Sequence, residues 1–183
     1  MLSPEDIQYL NQLPEVLEAK ARLRSSDSVV YFSINLTATI RSALLERLGV
    51  DLSNINEIPM RWIKGDTAPH VDSGQSEFNR THLMYLNSSP GQLVLDGESY
   101  PIAENTAFVF NEGISHETVG TGSEPRLLIG PMSEQGLPVG VTVSISYYAS
   151  IADANAGRTA TDYDTTTTAG NSGVRIAFII WAL

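Results

Sequence analysis

Apolar residues in the first fifty positions recur twice at helical spacing. Residues 3–23 open with Ser3-Pro4-Glu5-Asp6, a capping residue ahead of a proline at the first helical position, and then place Ile7, Leu10, Leu13, Val16 and Leu17 on one face. The spacing predicts a helix, broken at Pro14. Residues 28–36 (SVVYFSINL) are dense in β-branched and aromatic side chains and predict a strand. A second helix is expected over about residues 37–48, with Gly49 as its stop.

From residue 56 the pattern changes to short alternating runs separated by Gly, Pro, Asn and Ser, as in a jelly roll or barrel. Strands are predicted at 58–64, 68–72, 81–87, 92–95, 98–102, 106–110, 115–119 and 125–130. Asp96-Gly97, between two such runs, predicts a type I′ hairpin turn. Residues 133–183 read as two further strands, 140–148 and 174–183, around a Thr- and Gly-rich loop at 156–173. The expectation is one mostly β domain over 1–183: a helical and strand support (1–55), a β core (56–132), and C-terminal strands with their loop.

Composition narrows the function classes. The 183 residues include no cysteine, so no disulfide supports the fold, and a chain of this length buries a sizeable core without one. A net charge of -10 argues against binding a phosphate backbone. The first fifty residues carry six acids and five bases, so the acidity lies in the later part. The start has no basic flank with an apolar run, and the longest apolar stretch, 176–183, is too short to span a bilayer. A soluble, cytoplasmic protein is expected, with no nucleic-acid or membrane partner.

Three histidines occur: His70, His82 and His116. In a strand, residues i and i+2 share a face about 6.6 Å apart along the axis, so His70 and Asp72 can converge on one ion. His116 follows a strand and turn that can return its ring to the same place. Two imidazoles and one carboxylate leave three adjacent positions open, as non-haem Fe(II) oxygenases do, although Mn, Zn, Ni or Co suit the same donors. Arg126 opens an apolar strand, where a planar guanidinium can clamp a carboxylate; pairing with Glu117 or Glu124 is the structural alternative. His82 is out of phase with Thr81, Leu83 and Tyr85 and is expected on the other face, packed or at an edge. Tyr85, Trp62 and Trp181 also read as core aromatics.

Residues 58–131 resemble the Fe(II)/2-oxoglutarate dioxygenases, particularly the small prolyl-hydroxylase-like members built on a double-stranded β-helix. His70-Val-Asp72 is similar to the proximal HxD, Thr81-His-Leu-Met-Tyr85-Leu-Asn87 to the strand whose tyrosine helps bind cosubstrate, and 107–117 to the distal-histidine segment. The resemblance implies a jelly-roll or cupin-like barrel and Fe(II) held by His70, Asp72 and His116. It also implies 2-oxoglutarate anchored by Arg126 with Tyr85 or Thr81, and O2 as co-reactant. Arginine stands where prolyl hydroxylases usually place lysine, and the Gly-Gly and acidic-Thr signature before Gly97 is absent, so no substrate class follows; a protein side chain and a small molecule both remain. Residues 73–80 would make a lid.

Residues 97–120 also resemble the second cupin motif, which keeps a metal cupin of another activity open. Residues 59–65 and 130–134 are similar to open reading frames of large DNA viruses and phages. They keep open a non-catalytic jelly-roll or virion component whose final third contacts copies of itself, the apolar C-terminal strand pairing between subunits.

Overall fold

The computed structural model describes residues 1–23, 28–74 and 78–142. Of the elements expected beyond residue 132, only Gly140–Thr142 is among them; the remainder of the strand at 140–148, the loop at 156–173, the strand at 174–183 and Trp181 lie outside the described residues, as do residues 75–77 of the expected lid.

The N-terminal helix is two helices. In α1 (Pro4–Gln12) the Ser3 hydroxyl accepts from the Asp6 N–H, as its sequence position predicts, and Pro14 starts α2 (Pro14–Leu23) rather than kinking a single helix. Strand β1 (Val29–Asn35) leads to α3 (Ala38–Leu48), which Thr37 caps from outside and Gly49 ends in the left-handed conformation.

Nine strands follow: β2 (Glu57–Ile63), β3 (Thr67–Ser73), β4 (Arg80–Tyr85), β5 (Gln92–Leu95), β6 (Glu98–Pro101), β7 (Thr106–Asn111), β8 (His116–Val119), β9 (Arg126–Met132) and β10 (Gly140–Thr142). Asp96 and Gly97 both have positive φ at the β5–β6 turn, as a type I′ hairpin requires. The strand predicted at 81–87 ends at Tyr85, because the Asn87 side chain takes over the pairing to β9: its Oδ1 accepts from Leu127 N at 2.6 Å and its Nδ2 donates to Pro125 O.

The strands form two five-stranded sheets, ordered β1-β2-β9-β4-β7 and β10-β3-β8-β5-β6, with antiparallel pairing throughout. Strands β2 to β9 thus build two interlocked four-stranded sheets, β2-β9-β4-β7 and β3-β8-β5-β6, the order of a double-stranded β-helix. Among the described residues no ladder joins the sheets into a closed barrel.

Period-2 alternation splits the core in two. On the outer face of the first sheet, Met60, Trp62, Met84, Leu127 and Ile129 pack against Ile7, Leu10 and Val16 of the helical layer. On its inner face Ile63, Leu83, Tyr85 and Leu128 pack with Leu93 and Ile102. Trp62 is core, as expected, and donates its indole N–H to Val16 O at 3.0 Å. None of the helices among the described residues is long and apolar enough to cross a membrane.

Candidate metal centre

His70 and Asp72 alternate inward on β3, and His116 begins the neighbouring strand β8 directly opposite His70. The imidazole and carboxylate donor atoms of the three all lie within 4.8 Å of one another. At metal–ligand bonds of about 2.1 Å, donors on one ion sit about 3–4 Å apart, so small side-chain rotations bring these three onto a single cation.

The backbone fixes which nitrogens face the centre. His70 Nδ1 lies 2.7 Å from Ala68 O and His116 Nδ1 lies 3.1 Å from Ile114 O. A carbonyl only accepts, so each Nδ1 carries the proton and each Nε2 presents a lone pair inward. The His116 ring lies 4.1 Å from that of His70 and 4.9 Å from that of Phe110, centroid to centroid. Burial lowers the pKa of both histidines, with the neighbouring His116 adding to the effect at His70, so both rings are neutral near pH 7.

Asp72 completes the set and is the least satisfied member. It is 2% exposed, and among the described residues neither carboxylate oxygen makes a close hydrogen bond, the Thr81 hydroxyl being the nearest group that favours its charged form. Its nearest basic atom is His116 Nε2 at 3.6 Å. Burial pushes the carboxyl up, against the pull of Arg61 and His70. Such a group is costly unless something cationic occupies the space in front of it. Two inward lone pairs and a buried carboxylate fit a divalent cation with mixed N and O preference, which includes Fe(II).

Arg126 lies on the same inner face, fully buried. Its Nη1 donates to Gly65 O and its Nη2 to Thr118 Oγ1, both at 2.7 Å, while Nε has no partner. Thr118 is two residues beyond His116, so the guanidinium sits about one strand repeat, ~7 Å, deeper than that ligand. Among the described residues Arg126 makes no ion pair; neither Glu117 nor Glu124 neutralises it. The buried Tyr85 hydroxyl is in electrostatic contact with it: burial raises the phenol's pKa and Arg126 opposes that. Thr81 is buried on the same face, with its hydroxyl beside the Asp72 carboxylate rather than beside Arg126. His82 is 1% exposed on the opposite face of β4, packed rather than at an edge, and its ring nitrogens have no hydrogen-bond partner.

Arg61 was not singled out in the sequence, although the signal existed: a lone arginine in the alternating run of β2, in phase with Ile63. It is buried and acts electrostatically on the Asp72 carboxylate. Thr118 was also overlooked, and only its i+2 relation to His116 marks it.

No protein-family model matches the chain, and no curated protein matches it. Among solved structures it is similar to the salicylate 1,2-dioxygenase of Pseudaminobacter salicylatoxidans (12% identity, TM-score 0.39, covering 62% of this chain and 30% of that one). It is also similar to a Pseudomonas putida prolyl-4-hydroxylase (17% identity, TM-score 0.45, 70% and 85%) and to KdgF from Halomonas sp. (14% identity, TM-score 0.33, 59% and 83%). The chain spans about 30% of the length of the salicylate dioxygenase.

Proposed function

We propose that this chain is an Fe(II)- and 2-oxoglutarate-dependent dioxygenase, with His70, Asp72 and His116 as the metal ligands. The observation that carries the reading is the buried Asp72 carboxylate beside two inward-facing imidazoles, on the same face as a buried arginine that makes no close ion pair among the described residues. Iron bound there would supply the coupling of 2-oxoglutarate decarboxylation, giving succinate and CO2, to O2-dependent hydroxylation of a C–H bond on a small molecule or a protein side chain.

The chain's own residues supply position and charge. Grouping the three donors on one side leaves the opposite side open to a bidentate acid and to O2. Arg126 holds the far carboxylate of the cosubstrate, with Nε and the unused Nη protons as donors. Tyr85, which contacts Arg126, flanks that carboxylate from β4, while Thr81 stands beside Asp72. Phe110 and Leu93 line the interior and exclude water.

Anaerobic addition of Fe(II) and then 2-oxoglutarate tests the reading. A weak visible charge-transfer band is expected, absent from His70→Ala, and Arg126→Ala is expected to weaken 2-oxoglutarate binding far more than metal binding. A wild-type protein that takes up no metal and gives no band overturns the assignment.

A further inference from the structure

Arg61 is a buried cation without a close ion pair among the described residues; the carboxylate it acts on is that of the candidate ligand Asp72. It is 8% exposed, its guanidinium packs over the Tyr31 ring at 5.0 Å, and its Nε donates to Gly130 O at 3.1 Å. Among the described residues that is its one hydrogen bond, and no carboxylate lies within ion-pair distance. Buried arginines are ordinarily paired, because the interior does not replace the water they lose.

The unmatched group faces a cleft. Between the β1–β2 edge of one sheet and the β3–β10 edge of the other lies an open space of about 1140 Å³, walled by Tyr31, Phe78, Pro131, Leu137 and Val139, with Arg61 among the residues that line it. None of the three candidate ligands lines this cleft; its link to the metal centre is Arg61 itself, which lines the cleft and acts electrostatically on Asp72. The apolar walls are interrupted by Ser33, Ser73, Ser133 and the carboxylate of Glu57, and among the described residues Arg61 is the one basic residue lining them. Its pinned Nε and its aromatic stack fix the plane of the guanidinium while leaving the Nη edge uncommitted, the arrangement for bidentate capture of a carboxylate.

We propose that Arg61 is a substrate-positioning residue that binds a carboxylate of the substrate, the apolar remainder of which lies along this cleft. The proposal rests on the dioxygenase reading for the word substrate, but the anion subsite itself does not require the metal. The acidic exterior then bears on how a ligand approaches, and Arg61 on how its inner end is held.

The test uses the full-length, metal-free protein and three carboxylates of increasing size, acetate, phenylacetate and hippurate, each titrated calorimetrically against its neutral primary amide. Phenylacetate and hippurate are expected to bind at least tenfold more tightly than their amides. Arg61→Leu should abolish that preference and Arg61→Lys should retain part of it, whereas Arg126→Leu should leave it in place. Equal binding of acid and amide throughout overturns the proposal without any mutation, so a variant that fails to fold does not decide the matter. A preference that vanishes with Arg126→Leu and survives Arg61→Leu also overturns it, by assigning the carboxylate to the other arginine. A wild-type protein that lacks the Fe(II)/2-oxoglutarate band yet keeps the Arg61-dependent preference sinks the dioxygenase reading and leaves the anion subsite standing.

Discussion

A carboxylate enclosed without hydrogen bonds is held at a cost that the fold alone does not recover. Asp72 comes close to this: it is buried, and among the described residues neither oxygen makes a close hydrogen bond, with only the Thr81 hydroxyl nearby to favour its charge. An orphaned buried polar group costs about 1–3 kcal/mol, more when charged, while deleting one small side chain leaves a cavity worth about 1 kcal/mol. The two effects oppose. Asp72→Ala is therefore expected to change the stability of the metal-free protein by less than about 1 kcal/mol, a Tm shift within about 4 °C in excess chelator, while removing metal binding. A loss of several kcal/mol in chelator would show that Asp72 is a structural residue. The metal dependence gives the complementary readout: divalent ion should raise the Tm of the wild type and leave that of Asp72→Ala unmoved.

At the scale of elements, the inner face is positioned by two irregular connections. The β4–β9 register shifts between His82 and Met84, and opposite that shift Gly130 has φ +92°. A Cβ at Gly130 would lie 2.6 Å from His82 O, so only glycine lets β9 pass β4 there while its carbonyl accepts from Arg61. Gly130→Ala is expected to cost about 2 kcal/mol or more, read as a lowered midpoint in urea, and to loosen Arg61. The second connection is the turn between β2 and β3. The Asp66 carboxylate accepts from Thr121 Oγ1 at 2.7 Å, Thr121 N at 2.8 Å and Gly120 N at 3.1 Å, tying this turn to the β8–β9 loop beside Arg126. Those bonds, led by the Thr121 hydroxyl, hold its pKa below the ordinary carboxylate value. A depressed pKa contributes stability that is complete above the unfolded value and is lost as pH falls through the folded one. The Tm difference between wild type and Asp66→Ala should therefore be widest near neutrality and close in acid below the ordinary carboxylate range. A difference that stays constant with pH would mean that Asp66 acts through packing alone. Neither connection was legible in the sequence. Alternation revealed which residues of one strand share a face, His82 opposite Thr81 and Tyr85 included, because that depends only on period 2. The partners of Arg126 are Gly65 and Thr118 rather than Glu117 or Glu124, and the pairing of Arg61 with Gly130 spans 69 positions. Such partners follow from strand order, which no local pattern encodes.

Across the described residues, the first sheet separates two kinds of packing: the helical layer with the outer face, and the inter-sheet space with the candidate ligands and both buried arginines. The helices were legible for a physical reason, since Ser3-Pro4 and Gly49 act within one turn of where they stand. The cleft was not, because its walls come from β1, β2, β9 and the approach to β10 together. The division has a measurable consequence. Leu10 is fully buried in the outer core and touches the sheet from the side away from the metal centre. Replacing it with alanine removes apolar contact and leaves a void, a change worth about 2–5 kcal/mol in a close-packed core. The β4, β2 and β9 backbones lie between that void and the inner face, and their ladders resist relaxation toward it. Leu10→Ala should thus lower the Tm by about 4–20 °C while leaving the metal dissociation constant within about twofold of wild type, measured at a temperature where both are folded. Leu128→Ala, on the same sheet but facing inward two residues from Arg126, should disturb stability and ligand binding together. If Leu10→Ala weakens metal binding as strongly as Leu128→Ala does, the two cores form one mechanical unit, and the helical layer takes part in shaping the site rather than only covering the sheet behind it.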